Sequence, residues 1–316
     1  MSDLDLEAGR TEGNALRVSG LMHYGLQVPN LGQGRDFYAD FGLTVDERPD
    51  QLVVRCDGRD QDQTLLVEGR DKRLHHVAFA APPGSLAELQ RHLESLDIVL
   101  QDAPPGGLGD GLWFRDPDGN AVNVREQDLA SPRQPEQVKQ NLPGDYQRVD
   151  EAHWLTANTP PRPRRLGHML IFSSDVDRST AFYQRTLGLR LSDRIKGTAV
   201  FMNSGPGDHH VFGFIQSSHP GLHHSSWEVN NLDELMVGAQ VMADKGHRIG
   251  WGLGRHTLGS NLFHYMRDPW GSWIEYFADI DQISENWQAK DWEVPPAVWC
   301  PMMPGEFLEN HEPKPE

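Results

Sequence analysis

Cysteine is scarce in this chain of 316 residues, which contains only Cys56 and Cys300. Two thiols are too few for a disulfide scaffold or a thiolate metal site, so a reducing cytoplasm is the expected location. Long hydrophobic runs are also missing from the sequence, so no membrane span is expected. The first residues, MSDLDLEAGRTEGN, are polar and acidic, which is not typical of a signal peptide. Together these features predict a soluble globular protein.

Basic residues are few relative to acidic ones. The chain has 29 Lys and Arg against 46 Asp and Glu, which gives a formal net charge of -17. Nucleic acids and acidic membrane surfaces require a concentrated basic face, so we expect neither as a partner. The one dense basic cluster, at 162–165, lies among prolines and is interpreted as part of a solvated linker. Histidine is abundant, with 15 residues, which points to metal or proton chemistry.

The chain contains an internal repeat, which indicates that one structural unit occurs twice. The segment LMHYGLQVPNLGQGRDFYADFGL is similar to LGHMLIFSSDVDRSTAFYQRTLGL. In the first copy His23 lies 14 residues before Phe37, and in the second copy His168 lies 14 residues before Phe182. Each copy predicts a strand, a short turn and an amphipathic helix that ends at a capping glycine.

Two further pairs of segments extend the repeat. LHHVAFA at 74–80 matches LHHSSWEV at 222–229, and a helix with a one-sided apolar stripe follows each. WFRDPDGNAVNV at 113–124 matches HYMRDPWGSWIEYF at 264–277, where an Asp-Pro-X-Gly turn joins two strands. We therefore expect two homologous domains, each made of two βαβββ modules whose sheet curves around a cavity.

The repeat sets the predicted domain boundaries. The first domain spans 18–126 and the second spans 165–279. Residues 127–164 are rich in Gln, Pro and charge without periodicity, which predicts a linker. The tail, 280–316, contains several Trp residues between prolines, so we expect it to pack against the protein instead of extending freely.

Three strands of the second domain carry residue types that bind metals. Strand alternation places His168 among apolar side chains on one face, and it places Glu275 between two aromatic residues. His223 and His224 are neighbours that point to opposite faces, so one of them faces the cavity. A lone histidine on an apolar face is more often a packed core residue than a ligand. An unpaired buried carboxylate is costly, however, and a divalent cation beside Glu275 would remove that cost.

The donor set restricts the metal without choosing one. Two imidazoles and one carboxylate that leave positions open form the facial triad of non-haem Fe(II) chemistry. The same set accepts Mn(II), Co(II) and Zn(II). The HExxH motif typical of hydrolytic zinc sites is absent from the sequence.

Four segments give the chain a family resemblance: LGHML, GDHHVFGF, LHHSSWEV and GRHTLGSNLFHYMRDPWGSWIEYF. In these segments it resembles the type I extradiol ring-cleaving (catechol 2,3-) dioxygenases of the vicinal oxygen chelate superfamily, over roughly residues 18–280. The resemblance implies an α+β fold with two tandem vicinal oxygen chelate (glyoxalase/bleomycin-resistance-like) domains. It also implies a tail that covers the mouth of the active site.

The same resemblance implies roles for individual residues of the second domain. The implied iron ligands are His168, His223 and Glu275. The residues implied to act on the substrate and oxygen are His209, as an acid/base, and His256 and Tyr265, as contacts to the substrate hydroxyl oxygens.

The first domain lacks one member of the implied metal site. Histidines occur at the two corresponding positions, His23 and His75, but Asn123 stands where the second domain has Glu275. An amide supplies no negative charge, so we expect no complete metal site in the first domain. We interpret His224 as a structural residue.

The implied reaction is cleavage of an aromatic ring by O2, with both oxygen atoms incorporated. A catechol-type or hydroquinol-type substrate would chelate Fe(II), or Mn(II) as an alternative, and the cation would lower the pKa of a bound hydroxyl. We expect a cytoplasmic homo-oligomer, a dimer or tetramer, that degrades aromatic compounds. The alternatives are a metal-dependent isomerase or lyase of the same superfamily and a non-catalytic protein that binds small aromatics.

Substrate identity is only partly indicated. We expect Trp227, Trp273 and Phe201 to line the cavity, which favours a substituted or hydrophobic ring. The arginines that would be candidates to bind a substrate carboxylate are Arg190, Arg194, Arg248 and Arg255.

Overall fold

The computed structural model describes residues 16–135, 138–153 and 160–314. Within these ranges the chain folds into a seven-stranded sheet, a ten-stranded sheet and two short two-stranded ribbons. The first half contains β1 (Gly20–Val28), α1 (Leu31–Asp40), β2 (Thr44–Arg48), β3 (Gln51–Arg55), β4 (Thr64–Glu68), β5 (Arg73–Ala81), α2 (Leu86–Ser95), β6 (Leu112–Arg115) and β7 (Ala121–Glu126).

The second half has the same sequence of elements with additions. The linker contains a small hairpin of β8 (Asn141–Leu142) and β9 (Asp145–Tyr146). There follow β10 (Arg165–Ser173), α3 (Val176–Leu187), β11 (Arg190–Ile195), β12 (Ala199–Asn203), β13 (Gly207–Asp208), β14 (Phe212–Gln216), β15 (Gly221–Glu228), α4 (Leu232–Asp244), β16 (Gly250–His256), β17 (Leu262–Arg267) and β18 (Trp273–Ala278). The tail contributes β19 (Gln282–Ile283), β20 (Asp291–Trp292), β21 (Ala297–Trp299) and a 3-10 helix, Gly305–Leu308.

The two large sheets share one topology. The first runs β2-β3-β4-β1-β5-β7-β6, and the second runs β20-β11-β12-β14-β10-β15-β18-β17-β16-β21. In each sheet the first strand of the repeat is parallel to one neighbour and antiparallel to the other, as β1 is to β4 and β5 and β10 is to β14 and β15. The predicted duplication is therefore present in the strand pairing as well as in the sequence.

Capping residues mark the start of α1 and both ends of α3. Asn30 and Asp175 cap α1 and α3, since each side chain accepts a backbone N–H of the first turn. The α3 helix ends at Gly188, whose φ of 67° is the left-handed conformation that glycine adopts without strain. The predicted glycine cap is confirmed at this position.

The second module of the first sheet has fewer strands than predicted. After α2 only β6 and β7 follow, and an isolated bridge between Gln101 and Trp113 lies where a third strand was expected. The intervening segment contains Pro104, Pro105 and Gly106. Proline cannot donate to a strand ladder and glycine weakens one, so this segment forms a loop instead.

A single apolar cluster joins the two halves of the molecule. It contains buried residues from both large sheets and from all four α-helices of the described residues. The ring of Phe41 stacks on that of Tyr276 with centroids 3.9 Å apart, and the Tyr276 hydroxyl donates to the Phe41 carbonyl at 2.7 Å. One face of each sheet thus packs into this core, which leaves the opposite face available to line a cavity.

The tail packs along both edges of the second sheet. Strand β20 pairs with β11 and β21 pairs with β16, while the 3-10 helix buries Phe307. Residues 136–137, 154–159 and 315–316 of the predicted linker and tail lie outside the described residues. Among the described helices, none is long and apolar enough to cross a membrane.

Candidate active site

Strand register in the second sheet brings candidate ligands side by side. His168 on β10 pairs with Ser226 on β15, Ser226 pairs with Glu275 on β18, and Glu275 pairs with Tyr265 on β17. His224 lies two residues before Ser226, and residues two apart on a strand share a face. The five side chains therefore lie on one side of the sheet, opposite the shared core.

His168, His224 and Glu275 are close enough to hold one metal ion. Their candidate ligand atoms all lie within 4.8 Å of one another, and all three side chains are buried. Glu275 Oε2 lies 3.2 Å from His168 Nε2 and 3.7 Å from His224 Nε2. Among the described residues neither Glu275 Oε2 nor His224 Nε2 has a hydrogen-bond partner. Buried polar atoms without partners are unusual, and a divalent cation between them fits this donor set.

His224 replaces His223 in the predicted ligand set. The β10–β15 ladder skips His223, since Leu170 pairs with His224 and Ile171 pairs with Leu222. This bulge directs the His223 ring toward the tail, where its Nε2 contacts the Phe307 carbonyl at 2.8 Å. The structure thus groups His224, which was predicted to be structural, with His168 and Glu275 in place of His223, and metal binding itself remains a prediction.

Because the faces of His223 and His224 were assigned the wrong way round, Trp227 was also wrongly expected to line the cavity. Alternation ties Trp227 to the face of Ser225, and it is fully buried in the core shared by the two halves. The first repeat contained the signal, because LHHVAFA has large Val77 and Phe79 on one face and alanines on the other. Large residues on the core face place the second histidine of the pair on the cavity face.

His210 replaces His209 as the cavity-facing member of the next pair. The His209 ring is fully buried, and its Nε2 lies 2.9 Å from the Asp193 carboxylate. His210 lines the cavity, with its ring centroid 4.3 Å from that of His168 and 4.9 Å from that of Phe201. The structure therefore places His210, and not His209, against the cavity, and the acid/base role itself remains a prediction.

His256 and Tyr265 lie together beside the metal-ligand candidates, as the family resemblance implied. His256 Nε2 is 3.0 Å from the Tyr265 hydroxyl and 3.8 Å from Glu275 Oε1. His256 Nδ1 is 3.0 Å from the Pro296 carbonyl, which only accepts, so Nδ1 carries the proton and donates. His256 Nε2 is then a lone-pair acceptor, and Tyr265 donates to it.

Burial keeps these groups neutral. It lowers the pKa of His224 and of His210 well below the usual range, and neighbouring histidines add to the effect. Burial also lowers the pKa of His256, against the opposing effect of Glu275. Burial raises the pKa of Tyr265 well above its usual value, and the charge of Glu275 raises it further. At neutral pH His210, His224 and His256 are thus neutral, and Tyr265 is a protonated phenol.

A cavity of about 250 Å³ opens beside these side chains. Phe201 lines it as predicted, whereas Trp227 and Trp273 do not. The tail supplies part of the wall. The apolar lining residues are Leu170, Ile195, Ala199, Phe201, Ile215, Leu258, Val294, Pro296, Met303, Phe307 and Leu308. No Lys or Arg is among the described lining residues, so none of the four candidate arginines reaches the cavity.

The corresponding position in the first sheet is closed by its own hydrogen bonds. His23 Nε2 lies 3.0 Å from His76 Nε2, and the Asn123 amide donates to the carbonyls of Asp110 and Leu112. His23 pairs with Ala78, which pairs with Asn123, in the register of His168, Ser226 and Glu275. The two histidines bond to each other where the second sheet leaves their counterparts open.

Comparison with known proteins supports this duplicated architecture. The Glyoxalase/Bleomycin resistance protein/Dioxygenase superfamily matches residues 20–124 and 165–276. A relative from Cupriavidus necator, Metapyrocatechase 2, is 38% identical over 308 residues, covering 93% of each chain. An iron-dependent extradiol dioxygenase from Rhodococcus jostii is 24% identical over 299 residues, covering 88% of this chain and 90% of that one.

A solved structure shows the same fold at low identity. The Mn(II)-bound glyoxalase from Novosphingobium aromaticivorans has a TM-score of 0.77 and 23% sequence identity, and the match covers 95% of this chain and 97% of that one. The predicted α+β fold of two tandem domains is confirmed. The boundaries at 126, 164 and 279 remain predictions.

Proposed function

The chain belongs to the Glyoxalase/Bleomycin resistance protein/Dioxygenase superfamily, and on that premise we propose that it is an Fe(II)-dependent extradiol dioxygenase. It would cleave a catechol-type ring with O2, incorporate both oxygen atoms and serve the degradation of aromatic compounds. The convergence of His168, His224 and Glu275 beside an apolar cavity carries this proposal. The extradiol resemblance found in the sequence is confirmed by the relatives.

The metal would be held by His168 Nε2, His224 Nε2 and Glu275. A bound Fe(II) would supply redox chemistry, Lewis acidity and open positions for a chelating diol and oxygen. Mn(II) fits the same donors, so the metal itself is part of the proposal.

His256 and Tyr265 would handle the hydroxyl proton of the substrate. Because His256 Nδ1 donates to Pro296, its Nε2 is the atom that accepts a proton from a catechol hydroxyl. The pKa of Tyr265 is raised by burial, so its hydroxyl stays protonated. With substrate bound, this hydroxyl would turn from His256 Nε2 and donate to the substrate oxygen, which frees the Nε2 lone pair. The pair thus both removes the proton and stabilises the charge that remains.

His210 would hold or deliver a proton on the other side of the site. Its Nδ1 is 3.0 Å from His209 Nδ1, which leaves Nε2 available to the cavity. Burial lowers the pKa of His210 well below its usual range. A neutral imidazole that gains a proton in such an environment becomes a strong acid, which suits delivery of that proton to a developing oxygen anion.

The cavity favours a single uncharged aromatic ring with small apolar substituents. Its volume of about 250 Å³ lies just below the roughly 300–1,000 Å³ of pockets for drug-sized ligands. Its lining includes Phe201, Ile215 and Leu258 and, among the described residues, no basic side chain. A substrate carboxylate would therefore be buried without a partner, at a cost of several kcal/mol.

The test is anaerobic loading of metal-free protein with Fe(II), followed by O2 and a panel of catechols. We expect oxygen uptake and a yellow ring-opened product, with alkylcatechols preferred over catechols that carry a carboxylate. Glu275→Gln should lose both metal and activity. Full metal content and activity in that variant would contradict the proposed site, and colourless turnover without oxygen uptake would favour an isomerase.

The cytoplasmic location and the dimeric or tetrameric assembly expected from the sequence also remain part of this proposal.

A further inference from the structure

We propose that His223 is a positioning residue that fixes the tautomer and ring orientation of the metal ligand His224, through a hydrogen-bond chain that ends on the Phe307 carbonyl. This inference rests on the metal site of the proposed function and adds a residue and a tail contact to it.

The direction of each hydrogen bond follows from the chemistry of the last acceptor. The Phe307 carbonyl lies 2.8 Å from His223 Nε2, and a carbonyl only accepts, so His223 Nε2 carries a proton. A neutral imidazole has one N–H, so His223 Nδ1 has a lone pair. His224 Nδ1 lies 2.6 Å from it and must therefore donate.

The proton on His224 Nδ1 determines the state of the other ring nitrogen, Nε2. With its proton on Nδ1, His224 has a lone pair on Nε2, the atom that lies 3.7 Å from Glu275 Oε2 and has no partner among the described residues. Metal-binding histidines are usually oriented by an acceptor for their second ring nitrogen. Here that acceptor is a second histidine, and its own anchor is backbone of the C-terminal tail.

The same arrangement occurs in two other histidine pairs, one beside this cavity and one in the first domain. His75 Nδ1 lies 2.7 Å from His76 Nδ1, and His75 Nε2 lies 3.0 Å from the Pro105 carbonyl. His209 bonds to His210 in the same way, with Asp193 as the anchor. The pairing is thus a repeated local structure, and it acts on a metal only where the second histidine belongs to a ligand set.

Replacement of His223 should therefore alter metal affinity in a pattern that depends on hydrogen-bonding groups. His223→Leu removes the acceptor and leaves the His224 Nδ1–H buried without a partner. His223→Asn keeps an acceptor oxygen near the position of Nδ1, whereas the polar atoms of His223→Gln extend toward the position of Nε2. We expect Mn(II) binding about 10- to 100-fold weaker in the Leu and Gln variants and close to wild type in the Asn variant.

The measurements are Mn(II) titration of metal-free protein, followed by electron paramagnetic resonance, and ¹⁵N NMR of the imidazoles. The NMR spectrum of metal-free wild type should show His224 protonated at Nδ1, and His223→Leu should lose that preference. His75→Leu is the matched control, because it makes the same change in the duplicate sheet and should leave Mn(II) affinity unchanged.

The possible results distinguish failure of the proposed metal site from failure of the role proposed for His223. Failure of the wild type to bind Mn(II), or wild-type binding by Glu275→Gln, overturns the proposed site and this inference with it. If that site stands, equal affinity in His223→Leu and wild type overturns only the role of His223. If the Leu variant does not fold, equal Mn(II) affinities of the Asn and Gln variants overturn it instead.

Discussion

At the scale of single residues, the site contains pairs of adjacent histidines whose two members have different contacts. In the pairs His223–His224 and His209–His210, the second ring lies beside the candidate metal site, and the Nδ1 of the first ring is hydrogen-bonded to the Nδ1 of the second. The second ring is kept neutral by burial and oriented by its neighbour. This division predicts that variants of the four residues will separate metal binding from turnover.

Tyr265→Phe tests the proposed donor to the substrate oxygen. The variant removes the hydroxyl proposed to donate to the substrate oxygen, and loss of one buried hydrogen bond costs about 1–3 kcal/mol. We expect kcat/KM for an alkylcatechol to fall about 5- to 150-fold by the same principle, with Mn(II) affinity unchanged. Tyr183→Phe, which removes a buried hydroxyl bonded to Asp116 outside the cavity, is the control. A Tyr265→Phe enzyme with wild-type kinetics would exclude this role.

His210→Asn tests the proton delivery assigned to the cavity-facing histidine. We expect metal and catechol binding to persist while turnover falls about 10²- to 10⁴-fold, the usual contribution of a general acid or base. Oxygen consumption and Mn(II) titration measure the two properties separately. Loss of the metal in this variant would mean that His210 is a ligand.

The residue types of the site could be predicted from sequence. For the pair His223–His224, alternation alone left open which member faces the cavity, and only the large residues within 74–80 of the first repeat carried a signal. His168 and Glu275 occupy the cavity side as the strand pattern indicated, and His256 and Tyr265 do so as the family resemblance implied. The choice between His223 and its neighbour depends on a bulge in the β10–β15 ladder. A bulge is set by local strand pairing, which a single sequence does not specify.

At the scale of elements, the tail forms part of the cavity wall. Its 3-10 helix places Phe307 against Trp251, Tyr265 and Trp273, with ring centroids 4.6–5.2 Å apart. The tail was predicted to pack from its aromatic content, whereas the contact between the Phe307 carbonyl and His223 had no signal in the sequence.

Phe307→Ala tests whether the tail is held by this aromatic cluster. Removal of a buried Phe side chain costs about 3–5 kcal/mol, and here the loss should be confined to docking of the tail. We expect faster amide hydrogen exchange in 297–308 and a raised KM, with protection of the β10–β15 pair unchanged. Uniform loss of protection across both sheets would show instead that the tail is part of the global folding unit.

The strand count of each module was less predictable than its order. Both modules of the second sheet contain the three strands expected after each helix, whereas the second module of the first sheet has two. The Pro104–Gly107 segment decides the difference, because its backbone cannot supply a regular ladder. The repeat alone implied equal modules, and turn-forming residues within one copy overrode it.

At the scale of the whole molecule, buried neutral histidines should make the metal-free protein sensitive to acid. Burial lowers the pKa of His23 from 6.5 to about 3 and that of His264 from 6.5 to about 4. Below about pH 6.5 these side chains bind protons in the unfolded chain but not in the folded one. Stability is therefore present above that pH and is lost as pH falls.

Urea unfolding at several pH values measures this effect. Between about pH 6 and 5 we expect the free energy of unfolding to fall by about 1.4 kcal/mol per pH unit for each such histidine. His23→Gln should reduce the slope by one histidine's share. An unchanged slope in that variant would mean that His23 does not remain neutral in the folded state.

The two halves use one fold in different ways. Both halves carry the paired histidines. The second half has Glu275 at the third position, and the first half has Asn123 there. The buried carboxylate Oε2 without a partner among the described residues distinguishes the half that we expect to bind metal.

The most direct test of the account is the fate of labelled oxygen. Fe(II)-loaded protein would react with an alkylcatechol under ¹⁸O₂, and mass spectrometry would measure the product. Ring cleavage by the proposed route predicts a ring-opened product that contains both ¹⁸O atoms, with no such product from Glu275→Gln. A product without ¹⁸O, or equal labelling in the Glu275→Gln variant, would contradict it.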